Sequence, residues 1–316
     1  MFSILIPAYN EAPNIEKSVR DIKQQLDKTE FAEDHEIIVV DDHSTDATYE
    51  IAASLKGLHV RCLRLSRNSG SHTAVRMGLR FVQGEAVIVI SADGQDNPVA
   101  IDDMIKKWDQ GAQVVWALRK SRESESFFKK LSAIMFYKIL ALMTKSRKSH
   151  IDLSRADFYL LDQKVIQAIN QCEERNTSLF GLIFWQGFRQ SSIEYDRNER
   201  TAGKSKWNLT KRIELAKDWI IAFSGIPLRI MSYIGTIVAL IGFLYAIFTF
   251  IRAIKGSPIP GWSSLMVVLL LLGGLQMIMF GIVGEYLWRN LEESRKRPIA
   301  FIEKSTFENI EMDTEL

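Results

Sequence analysis

Three oxygen-bearing side chains, Asp93, Gln95 and Asp96, arrive within four positions at the end of the run Val87-Ile88-Val89-Ile90-Ser91-Ala92. Carboxylate and amide oxygens crowded in this way suit a hard cation such as Mg²⁺ or Mn²⁺, and such an ion usually carries substrate phosphates with it. A second acidic cluster, Asp41-Asp42-His43-Ser44-Thr45-Asp46, follows another apolar run, Ile37-Ile38-Val39-Val40. A carboxylate there can accept hydrogen bonds from a base or a ribose. One placed near a diphosphate must recruit a cation, or the like charges repel. The competing reading of Asp93 to Asp96 is a polar turn ahead of the helix that Pro98 opens. His43 and His72 have no second His or Cys at metal-site spacing and read as incidental.

These clusters need elements to hold them. The four β-branched residues Val87 to Ile90 read as a strand buried on both faces, the kind found inside a parallel sheet. In open α/β sheets, ligands bind beyond the carboxyl ends of the strands. Ser3 to Pro7 makes a first strand ending in Ala8-Tyr9-Asn10-Glu11. Asn14 then reads as a helix cap, with Ile15, Val19, Ile22 and Leu26 at helical spacing. Glu36 to Val40 is the second strand. Val60 to Leu65 is the third, leading through Asn68, Ser69 and Gly70 into a helix near His72 to Phe81. After the strand at Val87 come a helix from Pro98 to about Asp109 and a strand, Val114 to Leu118, ending at Arg119. This alternation predicts a parallel, doubly wound nucleotide-binding sheet. The glycine fingerprints of dinucleotide enzymes and P-loop NTPases are absent, which disfavours both. Carboxylates at the ends of two strands of one sheet divide the work of a metal-dependent nucleotide-sugar transferase.

The chain has 316 residues, 47% hydrophobic and 25% charged, room for one sizeable α/β domain and something smaller. A net charge of +2 argues against a dedicated nucleic-acid binder. Two cysteines, Cys62 and Cys172, build no disulfide framework and fit a reducing compartment. Met1 to Ile6 leads into a strand pattern, not a signal peptide. Ile230 to Ile251 carries no charge over 22 residues, about 33 Å as a helix and roughly the hydrocarbon thickness of a bilayer. Leu265 to Gly284 is a second uncharged run of 20. Both read as membrane-spanning helices, with a buried soluble helix pair as the alternative. The hairpin between them holds two bases, Arg252 and Lys255, whereas Lys211, Arg212 and Lys217 precede the first span and Arg289, Arg295, Lys296 and Arg297 follow the second. That excess predicts an inner-membrane protein of two spans, with the catalytic domain and both termini cytoplasmic. The expected organisation is a catalytic domain over 1–208, an interfacial amphipathic helix over 209–228, a transmembrane hairpin over 229–288 and a cytoplasmic tail over 289–316, to which no function is assigned. Small residues at Gly273, Gly274 and Gly281 allow close helix packing, including in a homo-oligomer.

Pro7-Ala8-Tyr9-Asn10-Glu11, Asp41 to Asp46, Ser91-Ala92-Asp93-Gly94-Gln95 and Arg200-x-x-Gly203-x-Ser205-Lys206 together resemble the pattern of glycosyltransferase family 2. The chain is most similar to the polyisoprenyl-phosphate branch, which includes dolichol-phosphate mannose synthases and bacterial enzymes of O-antigen glucosylation. The resemblance runs through the two spans to Gly284-Glu285-Tyr286. It implies a GT-A type, Rossmann-like α/β domain followed by two transmembrane helices. It also implies roles. Pro7, Tyr9, Glu11 and Asp42 hold the base and ribose, and Asp93 with Gln95 binds the divalent ion. Asp157 lies near the acceptor, Arg119 and Lys130 receive the lipid phosphate, and Arg200, Ser205 and Lys206 close over the diphosphate. Two positions depart from the pattern: Ser91 stands where the family usually has Asp, and Tyr159 where it usually has Arg. The first removes a negative charge beside the metal, the second a cation from the acceptor side.

The chemistry so implied is inverting sugar transfer from a nucleotide-sugar donor, with UDP-glucose or UDP-N-acetylglucosamine expected, to undecaprenyl phosphate at a lipid bilayer. A phosphate monoester, with a second pKa near about 6, is mostly ionised at neutral pH. Asp157 is therefore expected to position more than to deprotonate, and Arg119 and Lys130 to orient. The Gly203 to Trp207 loop reads as a mobile basic flap, or as a linker. Ser91 and Tyr159 motivate a second reading, a catalytically impaired, membrane-tethered nucleotide-binding scaffold. The lack of Gln-x-x-Arg-Trp and the few spans disfavour a processive polysaccharide synthase.

Overall fold

The computed structural model describes residues 1–120, 151, 155–175, 177–197, 226–255 and 261–307. The chain divides into two compact units, Met1–Arg212 with Pro298–Leu316, and Ile213–Arg297. The first contains β1 (Phe2–Ala8), α1 (Ile15–Leu26), β2 (His35–Asp41), α2 (Thr48–Ser54), β3 (Val60–Leu65), α3 (Ser71–Leu79), β4 (Ala86–Val89), α4 (Ala100–Asp109), β5 (Val114–Arg119), β6 (Ala156–Asp162), α5 (Gln163–Asn170), α6 (Leu179–Trp185) and β7 (Gln190–Tyr195). Its last strand comes from the far end of the chain, β8 (Ile302–Ser305). The second unit contributes α7 (Ile226–Ile254) and α8 (Trp262–Ser294).

Among the described residues the strands form one sheet in the order β7-β5-β6-β4-β1-β2-β3-β8. The inner strands behave as their β-branched runs dictate. Ile4, Leu5, Ile6, Ile37 to Val40 and Val87 to Ile90 are buried, because helices cover both faces of the sheet. The periodic residues of α1, Ile15, Val19, Ile22 and Leu26, pack into that core. Asn14 does not cap as expected. Its side chain accepts nothing from the helix, and its Nδ2 donates instead to Glu11 Oε2 at 2.8 Å.

The expectation of a purely parallel sheet is corrected. β1, β2, β3 and β4 are mutually parallel and β7 runs parallel to β5, but β6 is antiparallel to both β4 and β5 and β8 is antiparallel to β3. β6 returns between two strands made earlier, so its direction is set by pairing partners far away in sequence. The reversal has a consequence for the site. Leu118, near the end of β5, pairs with Ala156 at the start of β6, so β6 begins at the edge where β4 and β5 finish.

The tail also departs from expectation. Residues 302–305 leave the region read as a separate tail and close the exposed edge of β3, with Leu63 opposite Ser305 and Leu65 opposite Ile302. Thr306 continues the contact: its Oγ1 accepts from Cys62 N at 2.8 Å and its N donates to Cys62 O at 3.0 Å. Capping β3 removes a row of unpaired backbone groups that would otherwise template aggregation.

In the second unit, α7 and α8 contain apolar windows long enough to cross a membrane, Ile230–Arg252 and Leu271–Ser294, neither with any share buried. Their large apolar side chains, such as Leu240, Phe243, Leu269 and Phe280, are exposed. A soluble helix pair would bury them. The expected interfacial helix lies, up to residue 225, outside the described residues.

Candidate active site

The edge formed by the carboxyl ends of β1, β2, β4, β5 and β7 and by the start of β6 gathers most of the predicted site residues. Pro7 ends β1, Tyr9 and Glu11 follow it, Asp42 follows β2, Asp93 and Gln95 follow β4, Arg119 closes β5 and Asp157 is the second residue of β6. Lys130, Arg200, Ser205 and Lys206 lie outside the described residues.

The loops after β1 and β2 are latched together. Asn10, in the left-handed region at φ 54°, donates its N to Ser44 Oγ at 2.9 Å, and its Oδ1 accepts from Thr45 N at 2.8 Å. Glu11 N donates to Thr48 Oγ1 at 2.9 Å and Ala12 N to Asp46 Oδ2 at 3.2 Å. Burial works against the Asp46 charge, but donation from the Thr48 hydroxyl and from the Ala12 and Thr48 amides outweighs it and holds the carboxyl below its usual range. The serine, threonine and aspartate of the Asp41 to Asp46 motif are thus the mortar of a two-loop platform.

Asp42 is 3% exposed and receives Ser69 N at 2.7 Å and Gly70 N at 2.8 Å on its two oxygens. It therefore ties the β3–α3 loop to the β2 end, at a point where Gly70 adopts φ 89°. Burial pushes its carboxyl above the ordinary value, with the two amides pulling the other way. Each oxygen retains lone-pair capacity for a ligand donor. Asp41, fully buried, pairs with Arg64 at 2.9 Å.

Beyond β4 the chain turns at Gly94 (φ 70°), with Asp93 Oδ1 accepting Gln95 N at 3.1 Å. Ser91 Oγ lies 2.8 Å from Asp93 Oδ1 and 2.6 Å from Asp96 Oδ2. A hydroxyl carries one proton and donates to one of them at a time, so two carboxylates drawn to one hydroxyl make a place where positive charge is favoured. Among the described residues no group of three His, Cys, Asp or Glu side chains converges as a cage. Such a donor set fits a hard cation that takes one or two carboxylates and fills its shell with phosphate oxygens and water. Gln95 is engaged elsewhere: its Oε1, the atom a cation would take, accepts from Arg197 Nη2 at 2.8 Å.

Sequence reasoning counted Asp96 among the oxygen ligands after β4 but gave it no role of its own. It is 4% exposed, accepts Ser91 N at 3.1 Å and takes the Tyr195 hydroxyl on Oδ1 at 3.0 Å, stitching the β4 loop to the end of β7. Its place in the Asp93-x-x-Asp96 run was the available signal, but Tyr195 is 99 residues away. The structure also accounts for the other departure, Tyr159. It is 3% exposed and packs against Trp116 (5.3 Å between ring centres) and Phe180 (5.4 Å), so its side chain belongs to the core.

His72, half-buried beside the Phe180 ring at 5.3 Å, is pushed down to about 4 because leaving water penalises its charged form. In the unfolded chain it titrates near 6.5. Between those values the unfolded chain holds a proton that the fold refuses, so stability rises with pH across this window and the difference is complete above it. We expect the thermal midpoint to fall as pH drops from 7 to 4, by about 2 kcal/mol of stability from this group, and His72→Gln to flatten that slope in a melt series.

Residues 3–167 match glycosyl transferase family 2, and residues 226–289 match the GtrB C-terminal hairpin. The chain belongs to glycosyltransferase family 2. The family's segment carries every described site residue from Pro7 to Asp157, and the hairpin segment carries the first candidate span and most of the second, which runs on to Ser294. This glycosyltransferase is 39% identical over 307 residues to "Uncharacterized glycosyltransferase YkcC" of Bacillus subtilis (strain 168), covering 96% of this chain and 94% of that one. It is 38% identical over 309 residues to the "SfII prophage-derived bactoprenol glucosyl transferase" of Shigella flexneri, covering 96% and 97%. A "Bactoprenol glucosyl transferase" of Shigella phage SfV is likewise 38% identical over 302 residues, covering 94% and 96%. The fold of the glycosyltransferase is the Rossmann-like α/β arrangement of GT-A type, with two apolar C-terminal helices.

Proposed function

We propose that this glycosyltransferase moves a sugar, with inversion, from a nucleotide donor to a membrane-borne polyprenyl phosphate, undecaprenyl phosphate being the expected acceptor. The observation that carries the reading is the convergence at one sheet edge of the latched β1–β2 platform, the Asp93 turn, the end of β5 and the start of β6. The names of the relatives supply the acceptor class. UDP-glucose is the donor those names favour, with UDP-N-acetylglucosamine as the other candidate.

In this reading Pro7, Tyr9, Glu11 and Asp42 take the base and ribose over the platform. Asp93 holds a divalent cation, Mg²⁺ or Mn²⁺, with Ser91 and Asp96 fixing its carboxylate. When bound, that ion offsets the charge that grows on the departing nucleoside diphosphate. Arg119 at the end of β5 and Lys130 orient the acceptor phosphate, Asp157 positions it from β6, and Arg200, Ser205 and Lys206 close over the diphosphate. The acceptor is already ionised near neutral pH, so orientation carries more of the rate than proton removal.

Topology supports a membrane setting. β8, which follows α8, joins the sheet built by residues that precede α7, so any spans between them must be even in number. Two spans satisfy that condition, and the excess of bases on the flanks supports both ends being cytoplasmic, at the inner membrane.

Purified protein in lipid nanodiscs, given labelled UDP-glucose, UDP-N-acetylglucosamine or GDP-mannose with undecaprenyl phosphate, tests the proposal. We expect a labelled polyprenyl-phosphate sugar from one UDP-sugar, dependent on Mg²⁺ or Mn²⁺. Nucleotide binding without product from any donor would overturn it in favour of a scaffold.

A further inference from the structure

The C-terminal strand does more than cover an edge. Arg64, on β3, is 14% exposed in its side chain and makes three contacts that meet at the platform: Nη1 to Asp41 Oδ2 at 2.9 Å, Nη2 to the Ser44 carbonyl at 2.9 Å and Nε to Glu303 Oε2 at 3.0 Å. Two of these residues belong to the Asp41 to Asp46 motif, and the third comes from β8. Ser44 in turn accepts Asn10 N, so the line of contacts from Glu303 reaches the loop after β1. Arg64 holds the Glu303 carboxyl below its usual range, first through their hydrogen bond.

Much is spent on keeping Glu303 in place. Ile299 and Ala300 are buried, Ser66 N donates to Phe301 O at 2.9 Å, Thr306 exchanges two hydrogen bonds with Cys62, and the Arg61 guanidinium sits 4.4 Å over the Phe307 ring. The Phe307 ring also packs 5.3 Å from Phe81. A tail that only filled the edge would need backbone pairing. This one delivers a carboxylate to the one guanidinium that fixes both a fully buried aspartate and a carbonyl of the donor platform. With Glu303 removed, Arg64 keeps Asp41 and Ser44 but loses the contact that fixes its Nε, so its hold on both is less well oriented.

We infer that Glu303 is a positioning residue for the nucleotide site, acting through Arg64 on Asp41 and Ser44, so that the segment following the membrane hairpin sets the affinity for the donor nucleotide. The inference rests on the reading of the Asp41 to Asp46 loop as the nucleotide platform. Glu303 itself touches no substrate.

The test uses the full chain in nanodiscs and four proteins: parent, Glu303→Ala, Glu303→Gln and Thr306→Ala. UDP binding is measured by calorimetry alongside donor KM and kcat. Glu303→Ala is expected to weaken UDP binding and raise donor KM about fivefold, in line with a half-exposed charged contact inside a network, with kcat within twofold of the parent. Glu303→Gln, which keeps an acceptor oxygen, is expected to recover about half of the loss. Thr306→Ala loosens the same strand without touching Arg64, and its KM is expected to match the parent. Equal UDP affinity in parent and Glu303→Ala overturns the inference. So does an equal rise in KM for Glu303→Ala and Thr306→Ala, which would assign the effect to strand docking. A parent that binds UDP but makes no glycolipid would sink the proposed reaction while leaving the Glu303 comparison readable. A parent that binds no UDP overturns both.

Discussion

Replacing Asp93 by Asn is expected to lower the transfer rate by about 10² to 10³, the largest loss of any single substitution in the described part of the site. Asn has the same size and can still accept from Gln95 N, so the turn at Gly94 survives and the protein folds. What disappears is the charge. Asp93 shares the Ser91 hydroxyl with Asp96, and with only one carboxylate left the pull on a divalent cation falls. The measurement is kcat/KM for labelled donor across a Mn²⁺ titration. We expect the residual activity to need a much higher metal concentration. Parent-like rates at equal metal would remove Asp93 from the mechanism and, with it, the central role given to the β4 turn. Ser91 sharpens this. A third carboxylate at that position would add charge to the same small space, but the hydroxyl here organises the two that exist.

The second large effect concerns folding. Asp96→Ala removes the acceptor of Ser91 N and Tyr195 Oη and leaves the Ser91 hydroxyl to Asp93 alone. The site is 4% exposed, so water cannot fully replace it, and orphaned donors in such a place cost about 3 kcal/mol. At this size that lowers the melting midpoint by about 8 °C. Tyr195→Phe, which deletes one partner and leaves a ring packed 5.0 Å from Phe158, should cost about 1 kcal/mol. Because the two side chains share one hydrogen bond, the double substitution should lose less than the sum. Strict additivity in thermal melts would show that the contact does not hold the β4 turn to β7.

What could be read in the sequence was what is local. The β1, β2 and β4 runs are apolar on both faces because both faces are covered, and uninterrupted Val/Ile stretches announce that without ambiguity. The two long apolar helices were equally plain. The acidic motifs marked the edge at which the candidate site residues gather, since each directly follows its strand. Partnership was hidden. Nothing in Asp42 says that its oxygens are already taken by Ser69 and Gly70, or in Gln95 that Arg197 holds it. The direction of β6 was hidden for the same reason, as was Tyr159, whose place in an aromatic cluster depends on Trp116 and Phe180. β8 had no signal at all: Ile-Glu-Lys-Ser is short, polar and half-exposed, and it is a strand because β3 offers it an edge.

That last pairing sets an order of assembly. Cys62 meets Thr306 across 244 positions, and at about 5 to 20 residues per second a ribosome needs roughly 12 to 50 s to make the intervening chain. Throughout that interval the nascent sheet keeps a raw flank, and the enzyme's final stitch waits until both apolar helices have been synthesised. Closure of the sheet beside the β1–β2 platform is thereby made to follow synthesis of the two apolar helices.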